Sequence, residues 1–273
     1  MFASGDVGAY LAGMLHFDDL PLPPVHAPVE RFAFEEIDGT NAFAGRWLRL
    51  AGGASEAAIL SRRQSAGRGQ HGREWHTEAG LDLAWSYARR FGAAVEPVDL
   101  VRLNMAWAAA VLGAVEAGAA GAELGLKWPN DVYGRVGGRW RKLGGLLVEA
   151  QWRGAGCVGV VLGVGVNVGS RRLGAAEGVS LAELGGELGV EGLARLLERG
   201  VRVTWGQIPA GIATYHDRLL FVGEERPFVV RGQQRTGRFL SARPDGSGRF
   251  DFGAGPEDLP QGDVTWVWPE NQG

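Results

Sequence analysis

Apolar residues recur along most of the chain with the two spacings that distinguish helices from strands. In VDLVRLNMAWAAAVLGAVEA, residues 98–117, the apolar positions have helical spacing, which predicts a long core helix. Short apolar runs bounded by polar residues or glycines predict strands instead. These strands are expected at 32–37, 57–61, 81–88, 123–128, 142–152 and 157–168.

The last two of these strands are expected to be neighbours across a turn at 154–156, where the sequence is GAG. The segment NAFAGRWLRLA predicts a helix that Asp38, Thr40 or Asn41 would cap through a side-chain oxygen. A further, mostly helical segment is predicted at 181–205.

Beyond residue 219 the pattern changes to short strands separated by turns such as PDGSG. In GRFDF, Phe250 and Phe252 share one face while Arg249 and Asp251 share the other, as in a half-buried strand. The end of the chain therefore predicts a small all-β unit.

Composition excludes several classes of protein. With 45% apolar and 22% charged residues among 273, the chain can bury a core. It contains no uninterrupted apolar run of membrane-helix length and no secretory signal at its start. A single cysteine, Cys157, predicts a reducing, cytoplasmic location. The net charge of −3 gives no general reason to bind nucleic acid or a membrane.

Lysine is scarce in a chain that is rich in arginine. Of 28 basic residues only Lys127 and Lys142 are lysines, and they lie 15 positions apart. An ammonium is a compact charge with three donors, whereas a guanidinium is a broad planar fork. We therefore expect a chemical role for at least one of the two lysines.

The segment QSAGRGQHGREW, residues 64–75, joins two predicted strands and contains three glycines and two arginines. Such a loop is suited to binding phosphate or carboxylate oxygens, and an ordinary surface loop is the alternative. The phosphate-loop pattern GxxxxGK[ST] does not occur in the sequence. The glycines of GVGVNVG end a strand without opening an apolar helix, which excludes a dinucleotide fingerprint.

The segment KWPND, residues 127–131, places a cation, an amide and a carboxylate directly after a strand, before a predicted turn and hairpin. Asn130 is suited to a base edge and Asp131 to a hard cation, and a simple turn fixed by Pro129 is the alternative. Lys142 then precedes Leu143 and two glycines that leave space for an anion.

Taken together, IDGTN, QSAGRGQHGREW, KWPND, RKLGGLLVE and GVGVNV resemble, in order and spacing, the motifs of biotin–protein ligases. The resemblance implies activation of biotin by ATP and Mg²⁺ to biotinyl-5′-AMP. It also implies transfer of the biotin to a lysine of the biotin carboxyl carrier protein of acetyl-CoA carboxylase or a related carboxylase. No nucleic acid or membrane partner is expected, and the protein would be a monomer or a homodimer.

The resemblance also implies an α/β (α+β) fold with a mixed, mostly antiparallel sheet, like that of class II synthetases. A lead-in at 1–29, a catalytic domain at 30–218 and an SH3-like β-barrel at 219–273 are expected. Because 29 residues are too few for a DNA-binding domain, the monofunctional type of ligase is predicted.

Residue by residue, the resemblance implies three catalytic residues, Arg68, Lys142 and Asp131, with Asp131 also binding the metal. It places nine residues at biotin: Gly39, Thr40, Asn41, Gln64, Arg68, Gly69, Gln70, Lys142 and Gly145. It places five at ATP: Arg68, Trp75, Lys127, Asn130 and Asn167.

Two positions depart from the family pattern. Gly39 stands where serine is common, and Gln70 stands where a second arginine is common. The loss of this arginine is expected to loosen the hold on the adenylate. The main alternative is a lipoate or octanoate ligase or transferase of the same superfamily. A biotin-binding protein without catalysis is the other, and the presence of Arg68, Asp131 and Lys142 argues against it.

Overall fold

A computed structural model describes residues 28–50, 54–171 and 178–267, which excludes nearly all of the predicted lead-in. The first of its two sheets has seven strands in the order β1-β2-β3-β7-β6-β5-β4. The pair β1–β2 is parallel and every other pair is antiparallel, as predicted. The strands are β1 (Val29–Phe34), β2 (Glu56–Ser61), β3 (Leu83–Val95), β4 (Leu124–Lys127), β5 (Asp131–Val136), β6 (Arg139–Arg153) and β7 (Gly156–Val166).

Within the described residues, four α-helices cover this sheet on its two faces. They are α1 (Thr40–Arg49), α2 (Pro97–Gly118), α3 (Val190–Thr204) and α4 (Ile208–Asp217). Helix α1 buries Trp47 and Leu48 against β2, β3 and β7. On the opposite face α2 buries Leu103, Trp107 and Leu112 in the main core, which α3 and α4 complete. The cavity described below lies on the α1 face.

Among the described residues, α2 is the one helix that is long and apolar enough to cross a membrane. Its most apolar window has a mean hydropathy of 1.5, and 61% of that window is buried inside the protein. Because its apolar residues pack against the sheet and two helices, α2 is the core helix that the sequence predicts at 98–117.

The second sheet contains the five strands β8 (Glu225–Val230), β9 (Gln233–Ala242), β10 (Gly248–Asp251), β11 (Pro256–Leu259) and β12 (Val264–Trp266). Their order is β11-β10-β9-β8-β12, with antiparallel neighbours throughout. The predicted all-β unit is therefore present, while its closure into an SH3-like barrel stays a prediction. Trp128 of the first unit packs against Phe239 and Phe250 with ring centroids 5.7 Å apart in both cases, which joins the two sheets.

Several local expectations were wrong. The N-cap of α1 is Gly39 without a side-chain cap, because Asp38 pairs instead with Arg46 at 2.6 Å. The segment 181–205 is mostly helical, as predicted, but it is divided into two parts. Gly185 has a left-handed φ of +83°, which stops a short 3₁₀ turn well before α3 begins. Helix α4 was not predicted at all, since Pro209 and Gly211 interrupt its apolar pattern.

A buried ion pair joins α3 to the sheet. Glu56 at the start of β2 is fully buried and accepts a hydrogen bond of 2.8 Å from the guanidinium of Arg202. A second pair, Arg31–Glu198, connects the same helix to β1, but there the arginine side chain is 65% exposed. The two pairs therefore differ mainly in how far they are removed from water.

We expect Arg202→Met to lower the free energy of unfolding by about 3 kcal/mol, because the buried Glu56 carboxylate loses the cation that donates to it and keeps only the neighbouring charge of Arg89. Arg31→Met is the matched control, and its loss should stay within about 1 kcal/mol because its pair is exposed. Urea unfolding of both variants measures the difference. Equal losses would show that burial does not decide the strength of these pairs.

Candidate active site

A cavity of about 1200 Å³ lies on the α1 face of the seven-stranded sheet. Its walls are the start of α1, the loop 64–75, the KWPND turn and the strand β12. All the site residues expected from the sequence line it: Gly39, Thr40, Asn41, Gln64, Arg68, Gly69, Gln70, Trp75, Lys127, Asn130, Asp131, Lys142, Gly145 and Asn167. The structure therefore brings these residues together, while their roles stay predictions.

The floor of the cavity is formed by glycines on one face of β7. A Cβ on Gly163 would lie 2.2 Å from Asn41 Oδ1, and one on Gly165 would lie 2.2 Å from the Trp75 indole. Any side chain at these positions would thus displace α1 and the loop. The repeated glycines of GVGVNVG serve this close approach, which agrees with the exclusion of a dinucleotide fingerprint.

Both lysines of the protein pair with one carboxylate inside the cavity. Asp131 Oδ1 lies 2.7 Å from Lys142 Nζ, and Asp131 Oδ2 lies 3.3 Å from Lys127 Nζ. The side chains of Asp131 and Lys127 are only 15% and 11% exposed, whereas that of Lys142 is 36% exposed. Gly145 leaves the space for this cluster, since a Cβ there would lie 3.1 Å from Asp131 Oδ1.

Electrostatics keep this cluster charged. Burial by itself would raise the pKa of Asp131, but the two ammonium groups outweigh burial and lower it below its ordinary value. Burial lowers the pKa of Lys127, an effect that Asp131 opposes. Two cations around one carboxylate leave a net positive charge, and the more accessible ammonium, Lys142, faces the cavity.

Asp131, which the resemblance implies as the metal ligand, is paired with both lysines in this structure, and its metal role stays a prediction. Each of its carboxylate oxygens is taken by an ammonium group. Among the described residues no group of three or more carboxylates, histidines or cysteines is placed to hold a metal ion. We therefore assign Asp131 to the two lysines. Magnesium keeps most of its waters and binds substrate phosphates, so it needs no such group when it accompanies a nucleotide.

The loop 64–75 folds over the opening of the cavity. Its two ends approach through hydrogen bonds from Gly69 N to Arg73 O at 2.7 Å and from Trp75 N to Gly67 O at 3.0 Å. These bonds place the Trp75 ring beside Lys142 Nζ, 5.7 Å from the ring centroid. The buried Nε1 of Trp75 has no hydrogen-bond partner among the described residues. The loop is therefore a wall of the site rather than a solvated connection.

The inner end of the cavity is lined by neutral hydrogen-bonding groups. Thr40 donates from its backbone N–H to Gln64 Oε1 at 2.9 Å, and its hydroxyl lies 2.8 Å from that of Ser86. Asn41 donates to Glu149 Oε2 at 2.8 Å. Ser86 and Glu149 were not predicted as site residues. Glu149 does end the RKLGGLLVE motif, and its spacing of four residues from Gly145 puts both on the same face of the strand.

The two asparagines expected at the nucleotide are buried and hold the backbone around the cavity. The Asn130 amide donates to the carbonyl of Leu146, and that of Asn167 donates to the carbonyl of Val179 at 3.1 Å. The KWPND turn contains a cis peptide at Trp128–Pro129. Tyr215 of α4 donates to the Pro129 carbonyl at 2.9 Å, so the helix that was not predicted supports this turn.

The second sheet completes the cavity on the side of Lys127. Gln261, Val264, Thr265 and Trp266 line it, and Lys127 Nζ lies 5.7 Å from the Trp266 ring centroid. The sequence does not predict this wall, because its residues lie more than 130 positions beyond Lys127 and contain no chemical motif.

Several known proteins are similar to this chain in sequence. The profile of the biotin/lipoate A/B protein ligase family matches residues 34–167. A biotin–[acetyl-CoA-carboxylase] ligase of Paracoccus denitrificans is 39% identical over 142 residues, covering 51% of this chain and 55% of that relative. The bifunctional ligase/repressor BirA of Escherichia coli is 29% identical over 226 residues, covering 75% of this chain and 66% of that relative. The chain thus spans between about half and two thirds of these relatives' length.

Solved structures with the same fold include a biotin protein ligase from Aquifex aeolicus in complex with biotin and ATP. Its TM-score is 0.65 at 20% identity, and the match covers 87% of this chain and 98% of that one. A biotin protein ligase from Leishmania major in complex with biotinyl-5-AMP has a TM-score of 0.52 at 20% identity, covering 85% and 98%. The fold class predicted from the sequence is therefore confirmed.

The lysine pair around Asp131 leads to a prediction about stability. We expect Asp131→Asn to lower the free energy of unfolding by roughly 3 kcal/mol, because two neighbouring ammonium groups lose the carboxylate between them. The double variant Asp131→Asn/Lys127→Met should recover part of the loss. Urea unfolding in metal-free buffer measures both, with the exposed Asp217→Asn as the control. A metal ligand without its metal would predict the opposite, a gain in stability for Asp131→Asn.

Proposed function

We propose that this chain, whose residues 34–167 match the biotin/lipoate A/B protein ligase family, activates biotin with ATP and attaches it to a carrier protein. In the first step a carboxylate oxygen of biotin attacks the α-phosphorus of ATP, and pyrophosphate leaves. In the second, a lysine amine of the carrier attacks the biotinyl carbonyl, an amide forms and AMP leaves. The observation that carries this proposal is the single cavity in which neutral hydrogen-bonding groups lie beside a cluster of cations.

The cations address the difficulty of the first step, in which two anions must meet. In the proposal Lys142 contacts both the biotin carboxylate and the α-phosphate, and Arg68 adds a second cation from the loop. Asp131 does not touch either substrate; it fixes the Lys142 ammonium at 2.7 Å and is thus a positioning residue. Fixed donors aimed at developing negative charge are the largest single source of rate enhancement in many enzymes.

The neutral inner end suits the ring system of biotin, which has amide-like N–H donors and a carbonyl acceptor. Thr40, Asn41 and Gln64 offer both donors and acceptors there. Gly39 lies beside them with room for a side chain, since a Cβ would meet its nearest neighbour, Ala66 O, at an ordinary 3.5 Å. The serine that is common in the family would fit, so Gly39 removes a hydroxyl without a steric reason.

The second step requires no nucleophile from this protein, because the carrier supplies its own lysine. What the ligase must provide is protection of the mixed anhydride from water. In the proposal the loop 64–75 with Trp75 covers the intermediate, and Lys127, Asn130 and Asn167, which line the same cavity, surround the nucleotide. Gln70 adds no charge to this loop, so the adenylate is expected to leave faster than with an arginine at this position.

Partner and location follow from the same proposal. The acceptor is a biotin carboxyl carrier domain, which exposes the lysine that the reaction needs. A cytoplasmic location agrees with the single cysteine, Cys157, whose burial raises the pKa of its thiol to about 11 and keeps it unreactive. Both a monomer and a homodimer are compatible with the described residues.

The direct test is mass spectrometry of a carrier domain incubated with this protein, biotin and ATP. We expect one biotinyl group on one lysine of the carrier, and no modification when ATP or the ligase is omitted. Pyrophosphate exchange with biotin and with lipoate distinguishes the superfamily alternative. Exchange with lipoate alone would contradict the proposal, and biotin binding without any exchange would indicate a non-catalytic protein.

Lys142→Arg tests the role of the ammonium. It preserves the charge but cannot reproduce the compact contact with Asp131, so adenylation should fall by roughly 10²-fold or more, as when an oxyanion donor is misplaced. Pyrophosphate exchange measures the rate. Arg139→Lys, an exposed change on the same strand, is the control and should retain activity. Full activity of Lys142→Arg would remove Lys142 from the mechanism.

A further inference from the structure

Glu149 on β6 contacts two residues that line the cavity, Arg68 and Asn41, and has no role in the reaction described above. Its Oε1 accepts a hydrogen bond of 3.0 Å from Arg68 Nη2, and its Oε2 accepts one of 2.8 Å from Asn41 Nδ2. The carboxylate therefore joins the covering loop and the start of α1 to the sheet. Its side chain is 35% exposed, so it is neither a core residue nor a free surface charge.

The hydrogen bonds continue from Asn41 around the inner end of the cavity. Asn41 Oδ1 lies 2.7 Å from the Ser86 hydroxyl, and Ser86 lies 2.8 Å from the Thr40 hydroxyl. Thr40 in turn donates to Gln64 Oε1, and Gln64 is on the same loop as Arg68. Together with the backbone of the loop these contacts close a ring, whose last hydrogen bond is donated by the backbone N–H of Thr40. Its members are Arg68, Glu149, Asn41, Ser86, Thr40 and Gln64.

The direction of the donors in this ring depends on Glu149. An ionised carboxylate only accepts hydrogen bonds, so Asn41 must turn its nitrogen to Glu149 and its oxygen to Ser86. An amide oxygen carries no hydrogen, so Ser86 donates to Asn41 and leaves its own oxygen to accept from Thr40. A neutral residue at 149 would leave only the Leu147 carbonyl, which accepts from Asn41 Nδ2 at 3.3 Å, to hold the Asn41 amide in this orientation. The Asn41–Ser86–Thr40 hydrogen bonds would then lose their fixed direction, while the Thr40 backbone N–H would still donate to Gln64.

We propose that Glu149 is a positioning residue that sets the donor and acceptor pattern facing the biotin ring and holds Arg68 above it. This inference rests on the proposed function, since it concerns recognition of biotin in the same cavity. A site with fixed donors and acceptors rejects ligands that cannot pair with them, and it does so far more strongly than an apolar pocket can. Glu149 therefore contributes to the choice of a ring that forms hydrogen bonds.

Glu149→Gln tests the proposal because the amide has nearly the same shape without the charge. We expect the KM for biotin in pyrophosphate exchange to rise roughly tenfold, as when a charge-assisted hydrogen bond becomes a neutral one. The KM for ATP should change by less than about twofold, because Glu149 does not contact the lysines around Asp131. The kcat should fall together with biotin binding, because Arg68, which Glu149 holds, also supplies a cation to the reacting groups. Glu35→Gln is the matched control, because Glu35 also pairs with an arginine, Arg62 at 3.6 Å, but is 86% exposed.

A double variant separates positioning from simple structural support. In Asn41→Asp two carboxylates face each other, and biotin binding should be weakened more than in Glu149→Gln. In Asn41→Asp/Glu149→Gln the donor and acceptor exchange places, and biotin should bind more tightly than to Asn41→Asp alone. Purely independent effects of the two changes on the biotin KM would overturn the proposal.

Limited proteolysis provides a readout that needs neither biotin nor activity. Cleavage between Gly67 and Arg73 should be faster in Glu149→Gln than in Glu35→Gln, because the loop loses its contact with β6. An unchanged biotin KM in Glu149→Gln, with unchanged cleavage or only a lower melting temperature, would overturn the inference and leave the proposed function intact. If the unmodified protein and Glu35→Gln also fail to exchange pyrophosphate with biotin, the proposed function itself fails, and the inference with it.

Discussion

The absence of side chains at Gly163 and Gly165, two neighbouring positions on one face of β7, is the constraint on which the site depends. Gly163 and Gly165 allow Asn41 and Trp75 to lie directly on the sheet, at distances that a methyl group would prevent. Without this flat surface α1 would be displaced outward, and the loop 64–75 would lose its support. The cavity, the covering tryptophan and the ring of hydrogen bonds around Glu149 all require the same backbone surface.

On this surface the site is divided into a neutral end and a charged end. At the neutral end each polar group pairs with another, and Glu149 gives the pairs their direction. At the charged end one carboxylate holds two ammonium groups in place, which costs less than leaving a buried ion alone. The low pKa of Asp131 and the burial of Lys127 are therefore two consequences of one arrangement. Lys142, the most exposed of the three, is left to meet an anion.

A few contacts connect the surrounding helices and strands to the site and hold it in place. Helix α4 fixes the KWPND turn through Tyr215, and the second sheet meets the first through the aromatic contacts of Trp128. Because Trp128 follows Lys127 directly, packing between the two sheets also fixes the strand end that carries this lysine. The strand β12 then closes the cavity on that side.

Periodicity and turn chemistry act over short distances, so the strands, the core helix α2 and the motifs whose residues meet in one cavity could be predicted from the sequence. The two lysines also stood out there by their scarcity. That both lysines share Asp131 emerges only from the packing of the fold, while the metal role implied by the motif stays a prediction. The tertiary structure also revealed Glu149, Ser86 and the wall from β12, and it showed that α1 begins without a side-chain cap. These features depend on residues far apart in the chain that approach only when the sheets pack, and no local pattern encodes such pairings.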